Sequence, residues 1–281
     1  MIAICPNPYR DLGCETARRA AALLAEAGFE SVICPVYIGE DDGAVPRDLK
    51  TGVLAEEAAR CALVVVIGGD GTILEAIRQF NGASPPILGV NLGTKGFMTT
   101  LEPDELPLIV KAARGEYTLS RRMMLRAELR RGEETVYSGC ALNDAVIHGY
   151  GECVKITAWC GGSHMTGFSG DGVILSTPTG STGYSMSAGG PIVEPDAENI
   201  ILSPICAHVM GARSFVLDPA RVVTVRTELQ HGRRAYLSLD GASGVDLQSG
   251  DELIVRRADH ATLMVDMGTK SFYELAFEKL T

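Results

Sequence analysis

The chain has 281 residues, of which 46% are hydrophobic, and this length predicts two domains with a sizeable core. Its 25 lysines and arginines stand against 35 aspartates and glutamates, and the resulting formal charge of −10 argues against nucleic acid or an anionic membrane as partner. Any phosphate that the protein binds must therefore be held locally, by backbone amides or by a metal ion.

The sequence lacks the usual signals for a membrane or a secreted protein, and this absence predicts the cellular compartment. No apolar run approaches the ~20 residues that span a bilayer, and the first residues have no basic region followed by an apolar one. The eight cysteines include no Cys-x-x-Cys pair, so we expect reduced thiols in a cytoplasmic protein. Cys206 and His208 lack the second ligand pair of a closed zinc site, and no protein-held metal is predicted.

Residues 1–115 predict an α/β domain with a Rossmann-like, mostly parallel sheet, because apolar strand segments alternate with helical ones. The expected strands are 2–5, 32–36, 63–67 and 87–90, and the expected helices are 13–27, 54–60 and 72–80. A polar loop is expected at 39–50.

Residues 116–265 predict an all-β, sandwich-like domain, because short β-rich runs recur between turn signals. Strands are expected at 123–129, 136–140, 145–148, 154–159, 173–176, 221–229, 235–240, 252–257 and 262–267, with one helix at 184–188. The C-terminal segment 266–281 contains a strand-like stretch, 272–278, that could return to the first domain.

A glycine-rich turn, Gly68-Gly69-Asp70-Gly71-Thr72, lies between an apolar strand and a helix whose start signal we place at Thr72. Gly69 and Gly71 let the backbone approach a ligand, and the helix N-terminus favours phosphate. Asp70 in the mouth of this turn suits a base or a Mg²⁺ ligand. The alternative is a tight turn without a ligand.

A second block, 176–191, interleaves hydroxyl side chains with four glycines. Small donors on such a backbone suit a ribose, a phosphate or a nicotinamide amide. The candidate contacts are Thr179, Thr182, Gly183, Tyr184 and Ser187. The alternative is a serine-glycine surface loop.

Three further positions are weaker candidates. Asn143 and Asp144 place an amide and a carboxylate side by side between β-type runs, although a plain turn explains the pair better. Phe97 lies beside a glycine, where a base could stack on it, or else it belongs to the core. Asp171 lies in the Gly-Asp-Gly turn that precedes the second block.

The ordered set of these motifs, together with Asn91-Leu92-Gly93 and Asp240-Gly241, resembles the NAD kinase family from about residue 60 to 260. The 176–191 block is its most specific part, whereas the glycine turn is shared with diacylglycerol kinases and 6-phosphofructokinases. The sequence departs from the family pattern at Lys95, Gly183 and Ala242, where the family often has leucine, alanine and glutamine.

The resemblance implies Mg²⁺-dependent transfer of the ATP γ-phosphoryl group, or of polyphosphate in some members, to the 2′-hydroxyl of the adenosine ribose of NAD, at a site between the two domains. Asp70 resembles the general base. Asn143 and Asp144 resemble the pair that holds the adenine end and ribose, and Asp171 and 182–184 resemble dinucleotide contacts. The family also implies a homo-oligomer, dimer or tetramer, with a shared site.

Two rivals remain at the level of sequence. A lipid or sugar kinase shares the glycine turn, but a lipid kinase needs an apolar entry surface, whereas the 176–191 block is hydroxylic. A dinucleotide-binding sensor would keep the pocket and lose the chemistry, and the presence of Asp70 argues against it.

Overall fold

The computed structural model describes residues 1–37, 43–80, 82, 84–93, 96–209, 211–230 and 232–280. The chain divides into two units: unit 1 is Met1–Arg121 with Thr262–Thr281, and unit 2 is Arg122–Ala261. The chain therefore leaves unit 1 once and returns to it. Lys95, and the part of the expected polar loop at 39–42, lie outside the described residues.

Unit 1 is built on parallel strands in the order β2-β1-β3-β4. The strands are β1 (Ile2–Pro6), β2 (Ser31–Ile33), β3 (Leu63–Gly68) and β4 (Ile87–Asn91), and the helices are α1 (Glu15–Glu26), α2 (Leu54–Glu57), α3 (Asp70–Arg78) and α4 (Ile109–Ala113). Three 3-10 segments accompany them at Leu12–Cys14, Ala58–Arg60 and Pro103–Leu108. Every residue of β1, β3 and β4 is buried, which explains their unbroken apolar sequences and confirms the α/β prediction.

Unit 2 is β-rich. Its strands are β5 (Thr118–Arg131), β6 (Glu134–Ala141), β7 (Asp144–Gly149), β8 (Val154–Cys160), β9 (Ser163–Gly170), β10 (Gly172–Ser176), β11 (Ile200–Ile205), β12 (Phe215–Leu217), β13 (Val223–Glu228), β14 (Ala235–Leu239), β15 (Val245–Asp246) and β16 (Glu252–Asp266). A 3-10 turn, Thr179–Thr182, leads into α5 (Tyr184–Ser187). Strands β5 and β16 both run past the limits of unit 2.

Two layers of strands share one core in unit 2. One layer is antiparallel in the order β12-β11-β10-β7-β14-β15, and the other contains β16, β13, β8 and β9 with β5 and β6. Leu125 and Ile156 from one layer belong to the same buried cluster as Ile147, Leu175 and Leu202 from the other. Alternate residues of both layers therefore face one another, and the sandwich-like prediction is confirmed.

The C-terminal return to unit 1 begins within β16, whose Met264 pairs in parallel with Ile87 of β4. A helix, α6 (Phe272–Leu280), follows. The strand expected at 272–278 is therefore wrong. The helix starts with a capping box, because the Ser271 hydroxyl accepts the Glu274 N–H at 3.2 Å while the Glu274 carboxylate accepts the Ser271 N–H at 2.7 Å.

Other boundaries also differ from prediction. Helix α3 begins at Asp70 rather than at Thr72, whose hydroxyl instead turns back toward the Gly69 N–H. The separate strands expected at 252–257 and 262–267 form the single strand β16. Strands β9, β11, β12 and β15 were not expected, since β9 is rich in glycine and serine and β11 contains Pro204.

Candidate functional site

A cavity of about 670 Å³ opens in unit 1 beyond the carboxyl ends of β1 and β3. Ligands bind at this edge in open parallel sheets, because the loops and helix N-termini that follow the strands converge there. The glycine turn contributes 69–72. The remaining lining residues are Asn7, Tyr9, Arg10, Tyr37, Gly96 and Lys279.

Asp70 is held by the loop that follows β4. Its Oδ2 accepts the Phe97 N–H at 2.7 Å and its Oδ1 accepts the Met98 N–H at 3.1 Å. A methyl group on Gly96 would overlap Asp70 Oδ1, so only glycine lets the loop come this close. Each oxygen keeps a lone pair for a ligand. The sequence singled out Asp70 but gave no sign that Gly96 is its steric partner.

Thr72 fixes the glycine turn from within. Its hydroxyl oxygen lies 3.3 Å from the Gly69 nitrogen and 3.2 Å from Nδ2 of Asn7, both of which donate to it. A methyl group on Gly68 would overlap this hydroxyl. Thr72 therefore holds the turn through contacts within unit 1 alone.

Gly69 and Gly71 differ from Gly68 and Gly96 in having free space beside them. A methyl group on Gly69 would come no closer than 3.5 Å to Arg10, and one on Gly71 no closer than 3.9 Å to the Tyr37 hydroxyl. Within the described residues of unit 1, no packing contact explains these two glycines. They leave the backbone open to the cavity, as the predicted approach of a ligand requires.

Two cations lie in this cavity, and the sequence indicated neither. Arg10 donates from Nη1 to the Leu92 carbonyl at 3.1 Å. Lys279, from α6, places Nζ 4.1 Å from the centroid of the Phe97 ring. That ring also packs against Phe272 at 6.3 Å between centroids, so Phe97 lies between α6 and Asp70.

In unit 2, the Asp240 carboxylate fixes the loop that carries Asn143 and Asp144. It accepts three backbone N–H groups, from Leu142 and Asn143 at 2.7 Å each and from Asp144 at 3.0 Å. Asp240 itself has a φ of +49°, a left-handed conformation that aspartate tolerates better than most residues. The plain turn expected at Asn143-Asp144 is thus held from the turn that follows β14.

The second block packs on the same loop. Thr177 donates its hydroxyl to the Leu142 carbonyl at 2.5 Å, and its N–H to the Asn143 carbonyl at 2.9 Å. A methyl group on Gly180 would overlap the Asn143 carbonyl, whereas one on Gly183 would lie 3.3 Å from the Gly180 oxygen. The first part of the block, 176–181, is therefore buried within unit 2, whereas positions such as Tyr184 and Ser187 in its second part are exposed.

Several polar side-chain atoms around this loop are buried and make no hydrogen bond to any described residue. Asn143 Oδ1, Ser176 Oγ and Thr179 Oγ1 have no hydrogen-bond partner among the described residues. Asp144 is 6% exposed, and burial, with a further contribution from Asp240, raises its pKa from 3.8 to about 7. Because unpaired buried polar groups are costly, this cluster favours a polar ligand that would complete the hydrogen bonds.

Tyr184 belongs to the same region. Burial raises the pKa of Tyr184, and the charges of its neighbours Tyr236, Cys206, Asp171 and Asp144 add to that rise. His148 stacks between the rings of Tyr184 and Tyr236, at centroid distances of 6.4 and 6.0 Å. Its Nδ1 donates to the Gly149 carbonyl at 2.6 Å.

Most of the predicted unit 2 candidates are thus neighbours. Thr182 is tied to the block by donating its hydroxyl to the Thr179 carbonyl at 3.3 Å. Ser187 is exposed at the end of α5, and no hydrogen bond joins it to the others among the residues that the structure describes. Sequence reasoning missed His148 because a single histidine inside a strand carries no motif.

No cluster of three or more histidine, cysteine, aspartate or glutamate side chains able to hold a metal ion occurs within the described ranges. Over those same ranges, no helix is both long and apolar enough to cross a membrane.

Comparison with known proteins covers nearly the whole chain. Residues 2–114 match the ATP-NAD kinase N-terminal domain and residues 143–267 match the ATP-NAD kinase C-terminal domain. An NAD kinase of Geobacter metallireducens is 43% identical over 82% of this chain and 83% of its own length. An NAD kinase of Natranaerobius thermophilus is 34% identical over 100% of this chain and 97% of its own.

Two solved structures are also similar to this chain in fold. The crystal structure of yeast NADH kinase complexed with NADH superposes with a TM-score of 0.87 at 27% identity, covering 99% of this chain and 86% of the yeast chain. An NAD kinase from Archaeoglobus fulgidus, solved in complex with ATP, superposes with a TM-score of 0.77, covering 100% and 98%. At 24% identity, this second likeness supports the fold alone.

Asp144 should make the stability of the protein depend on pH. Since its folded pKa, about 7, lies above its unfolded value, the folded state binds the proton more tightly, and stability falls as pH rises from about 4 to about 7. We expect the free energy of unfolding of Asp144→Asn, relative to that of wild type, to rise by roughly 2.5 kcal/mol between pH 5 and pH 8. Urea unfolding at both pH values measures this difference, and a constant difference between the two proteins would contradict it.

Gly180 and Gly183 form a matched pair within one block. Gly180→Ala should lower the free energy of unfolding by several kcal/mol, because its methyl group overlaps a backbone carbonyl that cannot move freely. Gly183→Ala should cost less than about 1 kcal/mol, because its neighbours need give only slightly. Equal losses in denaturant titrations would show that the block can rearrange.

Proposed function

The chain belongs to the NAD kinase family, and we propose that it transfers the γ-phosphoryl group of ATP to the 2′-hydroxyl of the adenosine ribose of NAD, giving NADP. That the protein is a kinase that phosphorylates NAD follows from the match of both family domains and from the NAD kinases that it resembles over most of their length. The identity of the donor, the hydroxyl acted on and the residue roles below belong to the proposal.

The observation that carries the proposal is a carboxylate, Asp70, fixed at the entrance of α3 beside two glycines that open onto a polar cavity. Phosphoryl transfer requires mainly positioning and charge neutralisation. The open backbone of the turn suits the donor phosphates, while Asp70 accepts the proton of the attacking hydroxyl. A weak base suffices, because the proton leaves late in a loose transition state.

Magnesium fits this cavity as an ion carried by the triphosphate. Mg²⁺ is commonly bound by one or two carboxylates together with substrate phosphates and water, and Asp70 is the one carboxylate among the described residues lining the cavity. When bound, Mg²⁺ would neutralise charge on the donor phosphates. The protein would hold this ion through the triphosphate, which leaves the free lone pairs of Asp70 for the proton of the attacking hydroxyl.

The unit 2 cluster suits the adenosine end of NAD. Asn143 Oδ1 is buried without a partner, and the Asp144 carboxylate receives no hydrogen bond from any residue that the structure describes. A ribose offers the hydroxyl donors that both groups lack, and the adenine amino group is a further donor. Thr179, Thr182, Gly183, Tyr184, Ser187 and Asp171 are proposed as the remaining dinucleotide contacts, with Phe97 stacking on a base.

The lipid or sugar kinase alternative has no support in the hydroxyl-rich 176–191 block, and the family assignment favours NAD over both classes. A cytoplasmic location is part of the proposal, supported by eight cysteines that are all free thiols. A turnover assay with NAD, ATP and Mg²⁺, read out as NADP, tests the activity. Replacement of ATP by polyphosphate identifies the donor, and absence of NADP with both donors would refute the proposal.

Asp70→Asn should lower turnover by at least ~10², because the general base is lost, while NAD affinity stays within a few-fold. The amide can satisfy only one of the two N–H groups that the carboxylate accepts, so about 1 kcal/mol of stability should also be lost. Asp48→Asn is the control, since it neutralises an exposed carboxylate of unit 1 outside the cavity. Near-normal turnover of folded Asp70→Asn would remove Asp70 from the mechanism.

A homo-oligomer with a shared site is the last element of the proposal, with Asp171 and 182–184 as the positions that a neighbouring subunit contributes. NAD binding and association should then strengthen each other. Sedimentation over a range of protein concentrations, with and without NAD, measures the linkage. A strictly monomeric species with full specific activity would show that the site is complete in one chain.

A further inference from the structure

We propose that Lys279, in the last turn of α6, binds the terminal phosphates of the phosphoryl donor in the unit 1 cavity. This inference rests on the proposed function, since it assigns a specific contact to the donor. It concerns a residue outside the glycine turn and outside the 176–191 block.

The position of Lys279 is set by packing rather than by an acidic partner. Its Nζ lies 4.1 Å from the centre of the Phe97 ring, and it lines the same cavity as Asp70 and Gly69. No ion pair within 4.0 Å involves Lys279 among the residues that the structure describes. A face-on aromatic ring holds an ammonium group in place while leaving its N–H donors available.

The charge of this ammonium group is incompletely compensated. Burial lowers the pKa of Lys279, and the charge of Asp70 opposes that shift without forming a direct pair. A half-buried cation in this state gains from any anion that enters the cavity, because the anion replaces the water that the ammonium has lost.

A second cation supports the same assignment. Arg10 lies beside the glycine turn, with Nη1 bonded to the Leu92 carbonyl and its guanidinium 3.5 Å from where a methyl group on Gly69 would lie. The protein as a whole carries a formal charge of −10, so a cavity lined by two cations differs from the acidic composition of the chain. A chain of several adjacent phosphates has the charge that this pair would bind.

Phe97 links the cation to the carboxylate. Its backbone N–H donates to Asp70 Oδ2, and its ring faces Lys279 Nζ. One residue therefore sets the positions of both the group proposed to accept the proton and the group proposed to hold the donor. Lys279 would act on donor binding directly, and this distinguishes it from a residue that merely adjusts Asp70.

The test measures binding of inorganic tripolyphosphate and of ATP by calorimetry, with wild type, Lys279→Met, Lys279→Arg and Lys270→Met. Methionine keeps the apolar contact with Phe97 and loses the charge, whereas arginine keeps the charge. Lys270→Met is the matched control, because Lys270 pairs with Glu278 and does not line the cavity. Lys279→Met should weaken binding of both probes tenfold or more. Lys279→Arg should stay within threefold of wild type, with Lys270→Met and all NAD affinities unchanged within twofold.

A Lys279→Met protein that binds tripolyphosphate within threefold of wild type would overturn the proposal. So would equal losses of NAD and tripolyphosphate binding, because they would show a general structural role. The double variant Asp70→Asn/Lys279→Met, compared with Asp70→Asn, should still bind the probe at least fivefold more weakly. If the effect vanished in that background, Lys279 would act only through Asp70 and the assignment would be wrong.

Failure of the broader proposal gives a different result. If wild type bound tripolyphosphate but formed no NADP, the proposed function would be refuted, while the role of Lys279 in phosphate binding would stand on the calorimetry alone. Should Lys279→Met fail to fold, Lys279→Gln replaces it, with the same tenfold criterion.

Discussion

Hydrogen bonds from backbone N–H groups to a carboxylate hold both candidate binding loops. In unit 1, Asp70 accepts two N–H groups from the loop after β4, and in unit 2, Asp240 accepts three from the loop before β7. Such bonds are charge-assisted and stronger than ordinary amide pairs. They require the carboxylate to approach the backbone closely, and in unit 1 the absence of a side chain at Gly96 makes this possible.

The two carboxylates that hold these loops, Asp70 and Asp240, differ in which side chains remain available to a ligand. Asp70 both accepts the backbone N–H groups and lines the cavity, so one carboxylate has a structural and a proposed catalytic task. In unit 2 the tasks are divided, because Asp240 takes the N–H groups, while Asp144 is buried and Asn143 Oδ1 has no partner in the part of the chain that the structure describes. The second arrangement reduces stability in the absence of ligand, and sites that bind polar ligands often carry that cost.

Local sequence predicted the parts of the fold and site that local chemistry determines. An unbroken apolar run predicts a buried parallel strand, and glycines after it predict a turn that a ligand can approach, as found at 63–71. The helix α6 was missed although Ser271 and Glu274 form a capping box, because its short apolar pattern fits a strand equally well. Lys279 and Arg10 could not be identified, nor could the contact between Gly96 and Asp70, since these depend on residues distant in sequence.

The continuous strand β16 has a consequence for how the protein is made. Unit 1 is interrupted in sequence by all of unit 2, and Met264 and α6 complete it only after 122–261 have been synthesised. At about 5–20 residues per second, translation leaves the first part of unit 1 waiting on the order of ten seconds for its missing strand and helix. During that interval the edge of β4 that later pairs with Met264 lacks its partner, so the nascent chain exposes an apolar strand to the chaperones that meet it at the ribosome.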